Sequence, residues 1–206
     1  MSDAVAPVAR IANDAVRTSA AALNLADHFL IAMPSMADPR FSDTVVYVLE
    51  HTAERAMGVV INRPTDLTLE KLFEHVDMKL EIGSLVGKPV CYGGPVATDH
   101  GFVLHDQSDA RYDSTLAAEN GLSLTTSKDV LEAMASGSGP KNIMVALGYA
   151  GWDAGQLEAE IAHNAWLTVR ADPAVVFDVP HAHRRASAMA LLGFDPMMLS
   201  GDAGHA

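Results

Sequence analysis

Arg63 is the residue whose neighbours best equip it for chemistry. In Asn62-Arg63-Pro64 the proline biases Arg63 toward an extended backbone, from which its guanidinium can offer a forked donor edge to a carboxylate or phosphate. A structural ion pair would use the same residue in the same way, and the sequence leaves both uses open. The stretch Gly148-Tyr149-Ala150-Gly151-Trp152-Asp153-Ala154-Gly155-Gln156 lies between an apolar run and a helical pattern. A glycine loop there could turn backbone N–H groups toward an anion. Its spacing is neither that of a dinucleotide fingerprint nor that of a P-loop, and Asp153, Glu158 and Glu160 crowd negative charge around it. A conformational turn with Trp152 packed inward is the plainer reading. Gly83 to Pro89 has one residue too few between its glycines, and Pro89 stands where a P-loop needs Ser or Thr.

Glu50-His51 could act as an acid/base pair at a strand end, although neighbours on a strand point to opposite faces and an ion pair would serve as well. Nine histidines raise the question of a metal, but none is spaced as a zinc ligand pair, and His105 reads equally as a hydrogen-bonded structural residue. Cys91, the single cysteine, sits between Val90 and Tyr92 and reads as a small buried hydrophobe. No Gly-x-Ser-x-Gly elbow occurs. Catalytic residues therefore stay unassigned, no metal or cofactor is expected, and the chain leans toward a non-enzyme. The candidate ligand-binding set is Asn62, Arg63, Gly93, Gly94, His105, Gly151, Trp152 and Gln156. Each stands at the end of an apolar run or the start of a helical one, where a rigid sheet displays functional groups, so they could share one rim.

The elements that would position them alternate along the chain. Phe29 to Met33, Thr44 to Leu49, Met57 to Ile61, Val90 to Tyr92, Phe102 to Leu104, Leu122 to Thr125, Ile143 to Leu147, Trp166 to Val169 and Val175 to Phe177 read as strands. Val45 to Leu49 has no polar residue on either face and should be covered on both sides. Leu69, Leu72, Phe73 and Val76 mark a helix with Thr68 as N-cap. Thr126 and Asp129 resemble a capping box opening a second helix, which carries Val130, Leu131 and Met134 inward and ends at Gly137 to Pro140. Further helices are expected from about Gln156 to Asn164 and from Ala186 to Leu192, stopped by Gly193. The fold class is therefore α+β: a mixed, partly barrel-like β-sheet flanked by helices in a single domain.

Composition narrows the function. The chain has 206 residues, 49% of them hydrophobic and 19% charged, enough for one sizeable core. No stretch approaches the roughly 20 apolar residues of a membrane span. The N-terminus shows no secretory pattern, and one cysteine suits a reducing cytoplasm. Fourteen basic against 26 acidic residues leave a net charge of −12, which repels a duplex backbone. The one basic cluster, His181, His183, Arg184 and Arg185, holds only two arginines, so direct nucleic-acid binding is not expected. An unidentified protein partner or a small anionic ligand is; the oligomeric state is left open.

The turns, taken in order, resemble the YqgE/AlgH family of bacterial proteins. They are Met33-Pro34 leading to Asp38 and Phe41, Glu50-His51, Asn62-Arg63-Pro64, Gly93-Gly94-Pro95-Val96, Gly101-Phe102-Val103-Leu104-His105, and Gly151-Trp152-Asp153-Ala154-Gly155-Gln156-Leu157-Glu158. The likeness runs from about Leu25 to Ala206. It implies the same mixed fold and a regulatory or interaction role, since members are often labelled transcriptional regulators, but it brings no catalytic residue. The alternative is a small-molecule-binding protein or enzyme with a pocket lined by these turns. Four positions depart from the family pattern: Leu49 replaces a common cysteine, Arg55 a glycine, His100 an arginine and Arg185 a tryptophan.

Residues 1–24 lie outside the resemblance and read as an appendage, helical or mobile, before the 25–206 domain. Their Ala-rich sequence has only a thin apolar stripe at Ile11, Ala15 and Val16. Deleting Met1–Asn24 should therefore leave the urea unfolding midpoint nearly unchanged; loss of a cooperative transition would place the segment in the core.

Overall fold

The computed structural model describes residues 24–107 and 110–193. The expected N-terminal appendage, apart from Asn24, lies outside the described residues. Among the described residues ten strands form one curled sheet. They are β1 (His28–Ala32), β2 (Val45–His51), β3 (Arg55–Val60), β4 (Pro64–Thr68), β5 (Pro89–Tyr92), β6 (Val96–Asp106), β7 (Thr115–Ala117), β8 (Leu122–Thr125), β9 (Ile143–Asp153) and β10 (Trp166–Arg170). The α-helices among the described residues are α1 (Leu69–His75), α2 (Lys128–Ser136), α3 (Gln156–Ala162), α4 (Pro173–Phe177) and α5 (Arg184–Ala190). The strand order is β10-β1-β2-β3-β9-β6-β8-β7, with β5 also on β9 and β4 on β5. Every pairing is antiparallel except β5 with β9. The mixed α+β fold expected from the sequence, a half-barrel with flanking helices, is the one observed.

Burial follows strand alternation. In β2, Val45, Tyr47 and Leu49 face an inner core closed by Val175 and Val176 of α4 and by Ala188 and Met189 of α5. Val46 and Val48 face the opposite way, into a cluster with Trp152, Trp166 and Leu157 of α3. This is why the run carries no polar residue on either face. On the other flank, α1 and α2 bury Leu69, Phe73, Val130 and Met134 against Val90, Val103 and Val145.

The long strand β9 joins the two flanks, and it changes parity on the way. Met144 and Ala146 point into the inner core, Ile143, Val145 and Leu147 toward α1 and α2. Beyond Gly148 the inward residue is Tyr149, while Ala150 and Trp152 point outward to α3. One residue of slip reverses the faces of a strand. Gly148, at φ 75°, supplies it. At the same point the chain leaving β5 crosses β9 backbone to backbone. The Gly93 N–H donates to the Leu147 carbonyl, and the Val60 N–H of β3 donates to the Gly93 carbonyl, both at 2.8 Å. A methyl group on Gly93 would lie 2.1 Å from the Gly148 oxygen, and one on Gly148 2.4 Å from the Gly94 oxygen.

Four local expectations are corrected. Gly148 to Asp153 is strand rather than loop, because its backbone pairs with Arg55–Gly58 of β3. Val175 to Phe177 is helix rather than strand: Pro173 opens it and the Asp172 carboxylate caps it, accepting from the Ala174 N–H at 2.9 Å. The α2 N-cap is Ser127, not Thr126; Thr126 is drawn off by Ser114, its N–H bonding the Ser114 carbonyl and its hydroxyl the Ser114 hydroxyl. Strands β4 and β7 have no apolar run to announce them and are mostly exposed.

The crossing can be tested against a glycine of the same backbone class in open space. Gly155 has φ 72°, and a methyl group on it would meet no atom within 4 Å. Gly155→Ala should cost only the left-handed penalty of about 1 kcal/mol, whereas Gly148→Ala should cost about 3–5 kcal/mol in denaturant unfolding. Equal losses in the two variants would remove the crossing as a constraint.

Candidate functional site

The eight candidate residues fall into three groups, each engaged by the fold. The first holds the loop between β1 and β2. Arg63 donates from Nη1 to the Arg40 carbonyl at 2.7 Å and from Nη2 to the carbonyls of Ser42 at 2.7 Å and Pro39 at 3.2 Å. Asn62 accepts from the Val45 N–H and donates to the Asp43 carbonyl, each at 2.9 Å. Phe41, in the middle of that loop, stacks on Trp152 with ring centroids 6.4 Å apart and meets Trp166 edge-on at 5.7 Å. So the forked guanidinium expected of Arg63 is present, but it embraces main-chain oxygens. Arg63, Asn62, Arg40, Pro39, Pro64 and Tyr92 line an open depression of about 540 Å³.

Below Phe41 the Glu160 carboxylate collects three donors. The indole N–H groups of Trp152 and Trp166 reach Oε2 at 2.9 and 2.7 Å, and Gln156 Nε2 reaches Oε1 at 2.9 Å. Gln156 Oε1 in turn accepts from the Asp153 N–H at 3.1 Å, so an amide expected to face an anion is already occupied. Gly151 sits inside β9 opposite Met57.

Gly93 and Gly94 form the second group, given over to the backbone crossing. His105 is the third. It is 2% exposed, with Nδ1 donating to the Asp106 carbonyl at 2.7 Å. That contact places the proton on Nδ1, so in the neutral ring Nε2 accepts from the Thr125 hydroxyl at 2.9 Å. Glu50 and His51 separate as strand alternation requires: Glu50 pairs with Arg55 at 3.0 Å, and His51 with Glu158 at 3.1 Å. Cys91 is fully buried, and burial pushes its thiol up to about 11. Among the described residues no three His, Cys, Asp or Glu side chains gather as a metal-holding group.

A different constellation shows in the sequence only as a basic cluster. His181, His183, Arg184 and Arg185 do not form an outward stripe. Arg184 is 5% exposed, and Arg185 turns back to donate to the Ala32 carbonyl at 3.2 Å. The Arg184 side chain runs from the start of α5 under the sheet. Nη1 donates to the Ile61 carbonyl and contacts the Met144 sulfur at 3.2 Å, and Nε donates to the Val179 carbonyl at 3.0 Å. Nη2 makes no hydrogen bond, and no carboxylate pairs with Arg184, among the described residues. Arg184 lines a cleft of about 220 Å³ with Leu69, Lys88, Pro89, Ile143, Val145, Phe177, Asp178, Val179, Pro180 and His181. Burial first, then the Arg184 charge, draws His181 below its usual value, favouring the neutral imidazole. Burial lowers Arg184 as well, yet a guanidinium stays charged at neutral pH. The signal that could have singled out Arg184 was its position one helical turn before Ala188 and Met189, on the helix face that turns inward.

The Glu160 clamp has a direct optical readout, because Trp152 and Trp166 are the chain's two tryptophans. Glu160→Ala would orphan two buried indole N–H groups and should cost about 2–4 kcal/mol while changing the emission maximum. An unchanged midpoint and spectrum would show that the carboxylate holds neither ring.

The family model described as AlgH-like matches residues 29–197. A UPF0301 protein of Paraburkholderia phymatum is 59% identical over 184 residues, 89% of this chain and 96% of its own length. One from Ralstonia nicotianae is 59% identical over 186 residues, 90% and 97% of the two chains. The solution structure of AlgH from Pseudomonas aeruginosa, 49% identical, matches 90% of this chain and 97% of its own with a TM-score of 0.74. A crystal structure from Corynebacterium diphtheriae, 20% identical, shares the fold with a TM-score of 0.64 over 84% and 88% of the two chains. Matched over most of its length by the family model and by these relatives, this chain belongs to the AlgH-like family.

Proposed function

We propose that this AlgH-like protein acts by binding a small anion at Arg184, as a regulatory or sensing protein of the reducing cytoplasm, and not by turning a substrate over. One observation carries the reading: Arg184, 5% exposed, has no carboxylate partner among the described residues, leaves Nη2 without a hydrogen bond and lines a cleft of about 220 Å³. Burying a cation is costly unless an anion and hydrogen bonds compensate it. The Ile61 and Val179 carbonyls supply part of that compensation, and a bound anion would supply the rest. Arg184 also links α5 to the end of β3 and to β9, so occupancy of the cleft would tighten the α4–α5 pair against the sheet.

Direct action on a duplex fits less well. The net charge is −12, and of the two arginines of the one basic cluster Arg184 is buried and Arg185 is half-buried with Nη2 on the Ala32 carbonyl.

Acetate or inorganic phosphate at millimolar concentration should shift the amide resonances of Val179 to Arg184 in a 1H–15N titration. In Arg184→Met the apparent affinity should fall about tenfold or more, the worth of one charge-assisted hydrogen bond. Shifts of the same size in that variant would take the cleft out of consideration.

A further inference from the structure

The cleft also limits what kind of anion it can hold. We infer that its ligand is a small monocarboxylic acid with an aromatic or branched apolar body, the carboxylate on Arg184 Nη2 and the body against the sheet; this deepens the anion-binding reading and rests on it. Three features of the cleft lead there.

The first is charge. Arg184 is the one cation buried in the cleft. Lys88 and Asp178, both exposed, line it with opposite signs, and the lowered His181 favours a neutral ring beside them. The net field therefore matches one negative charge. A phosphate dianion or a nucleotide would bring more negative charge than the one buried guanidinium balances. The second feature is the donor edge. Nη1 and Nε are committed to the Ile61 and Val179 carbonyls, so the guanidinium offers Nη2 alone. A single carboxylate oxygen suits such an edge better than the tripod of a phosphoryl group, which is normally met by several donors. The third is shape. Leu69, Ile143, Val145 and Phe177 give the cleft the apolar part of its lining, beside the polar part formed by Lys88, Asp178, His181 and Arg184. Its volume of about 220 Å³ would hold ~7 waters at the ~30 Å³ each takes in the liquid, or an organic acid of about ten heavy atoms. A cleft that is part apolar and holds one buried charge can orient a ligand by the charge and bind it by the body.

The test uses the full chain and four probes: benzoate, its neutral counterpart benzamide, acetate and inorganic phosphate. Binding is followed by calorimetry and by the resonances of Val179 to Arg184. Benzoate should bind about ten- to a hundredfold more tightly than acetate, since only benzoate buries a ring, and about tenfold or more tightly than benzamide, which lacks the charge. Arg184→Met should abolish the benzoate preference. Should that variant fail to fold, Val179→Trp fills the cleft while keeping the Val179 carbonyl for Arg184, and benzoate binding should be lost there too. Phosphate or acetate binding as tightly as benzoate, still through Arg184, would overturn the apolar-acid inference and leave the anion reading standing. Benzamide matching benzoate would overturn the role of charge and with it both readings. Silence from all four probes would do the same.

Discussion

The crossing of Gly93 and Gly94 over Gly148 is the constraint on which the rest of the molecule depends. β9 turns one face to the inner core along its whole length and the other to α1 and α2 at one end and α3 at the other, yet its inward residues change from even- to odd-numbered once, at the left-handed Gly148. At that same residue the strand is approached by the end of β5, whose Gly93 bridges Leu147 of β9 and Val60 of β3. A side chain at either position would collide with main-chain oxygen, which cannot rotate away. Three strands therefore meet where only glycine fits, and the half-barrel closes around that meeting.

Hydrogen bonding then secures what the sheet leaves loose. The β1–β2 loop has few sheet partners of its own, and its carbonyls would go unpaired without Arg63 and Asn62. Phe41 pins the same loop to two tryptophans, whose indole nitrogens are in turn satisfied by Glu160. A polar network of this kind contributes only when complete, and here the described donors reach acceptors. The residues that look most chemical in the sequence are thus largely spent on architecture.

Arg184 is the exception. It too braces the fold, through Ile61 and Val179, but no carboxylate forms an ion pair with it among the described residues. The contrast with the whole molecule is instructive. A chain with net charge −12 keeps a buried cation in a small, partly apolar cleft, where its field is less screened than that of an exposed lysine. Average charge speaks to large partners such as a duplex, whereas a single buried guanidinium speaks to a small ligand.

The sequence by itself determined the elements whose burial is local. The double-sided run Val45 to Leu49, the helix beginning at Leu69 and the stop at Gly137 are read from periodicity and turn residues, because nearest-neighbour geometry decides them. The family, too, was legible in the order of the turns. Tertiary structure decided the rest. Gly148 to Asp153 looks like a loop until β3 is there to pair with it, and Val175 to Phe177 looks like a strand until Asp172 and Pro173 cap it as a helix. The partners of Arg63, Glu160 and Arg184 are carbonyls, rings, an amide and a sulfur 4 to 123 positions away along the chain. Residue type and spacing say what a side chain can bond; only the folded backbone says which acceptors come within hydrogen-bonding reach, and so which charge is left for a ligand.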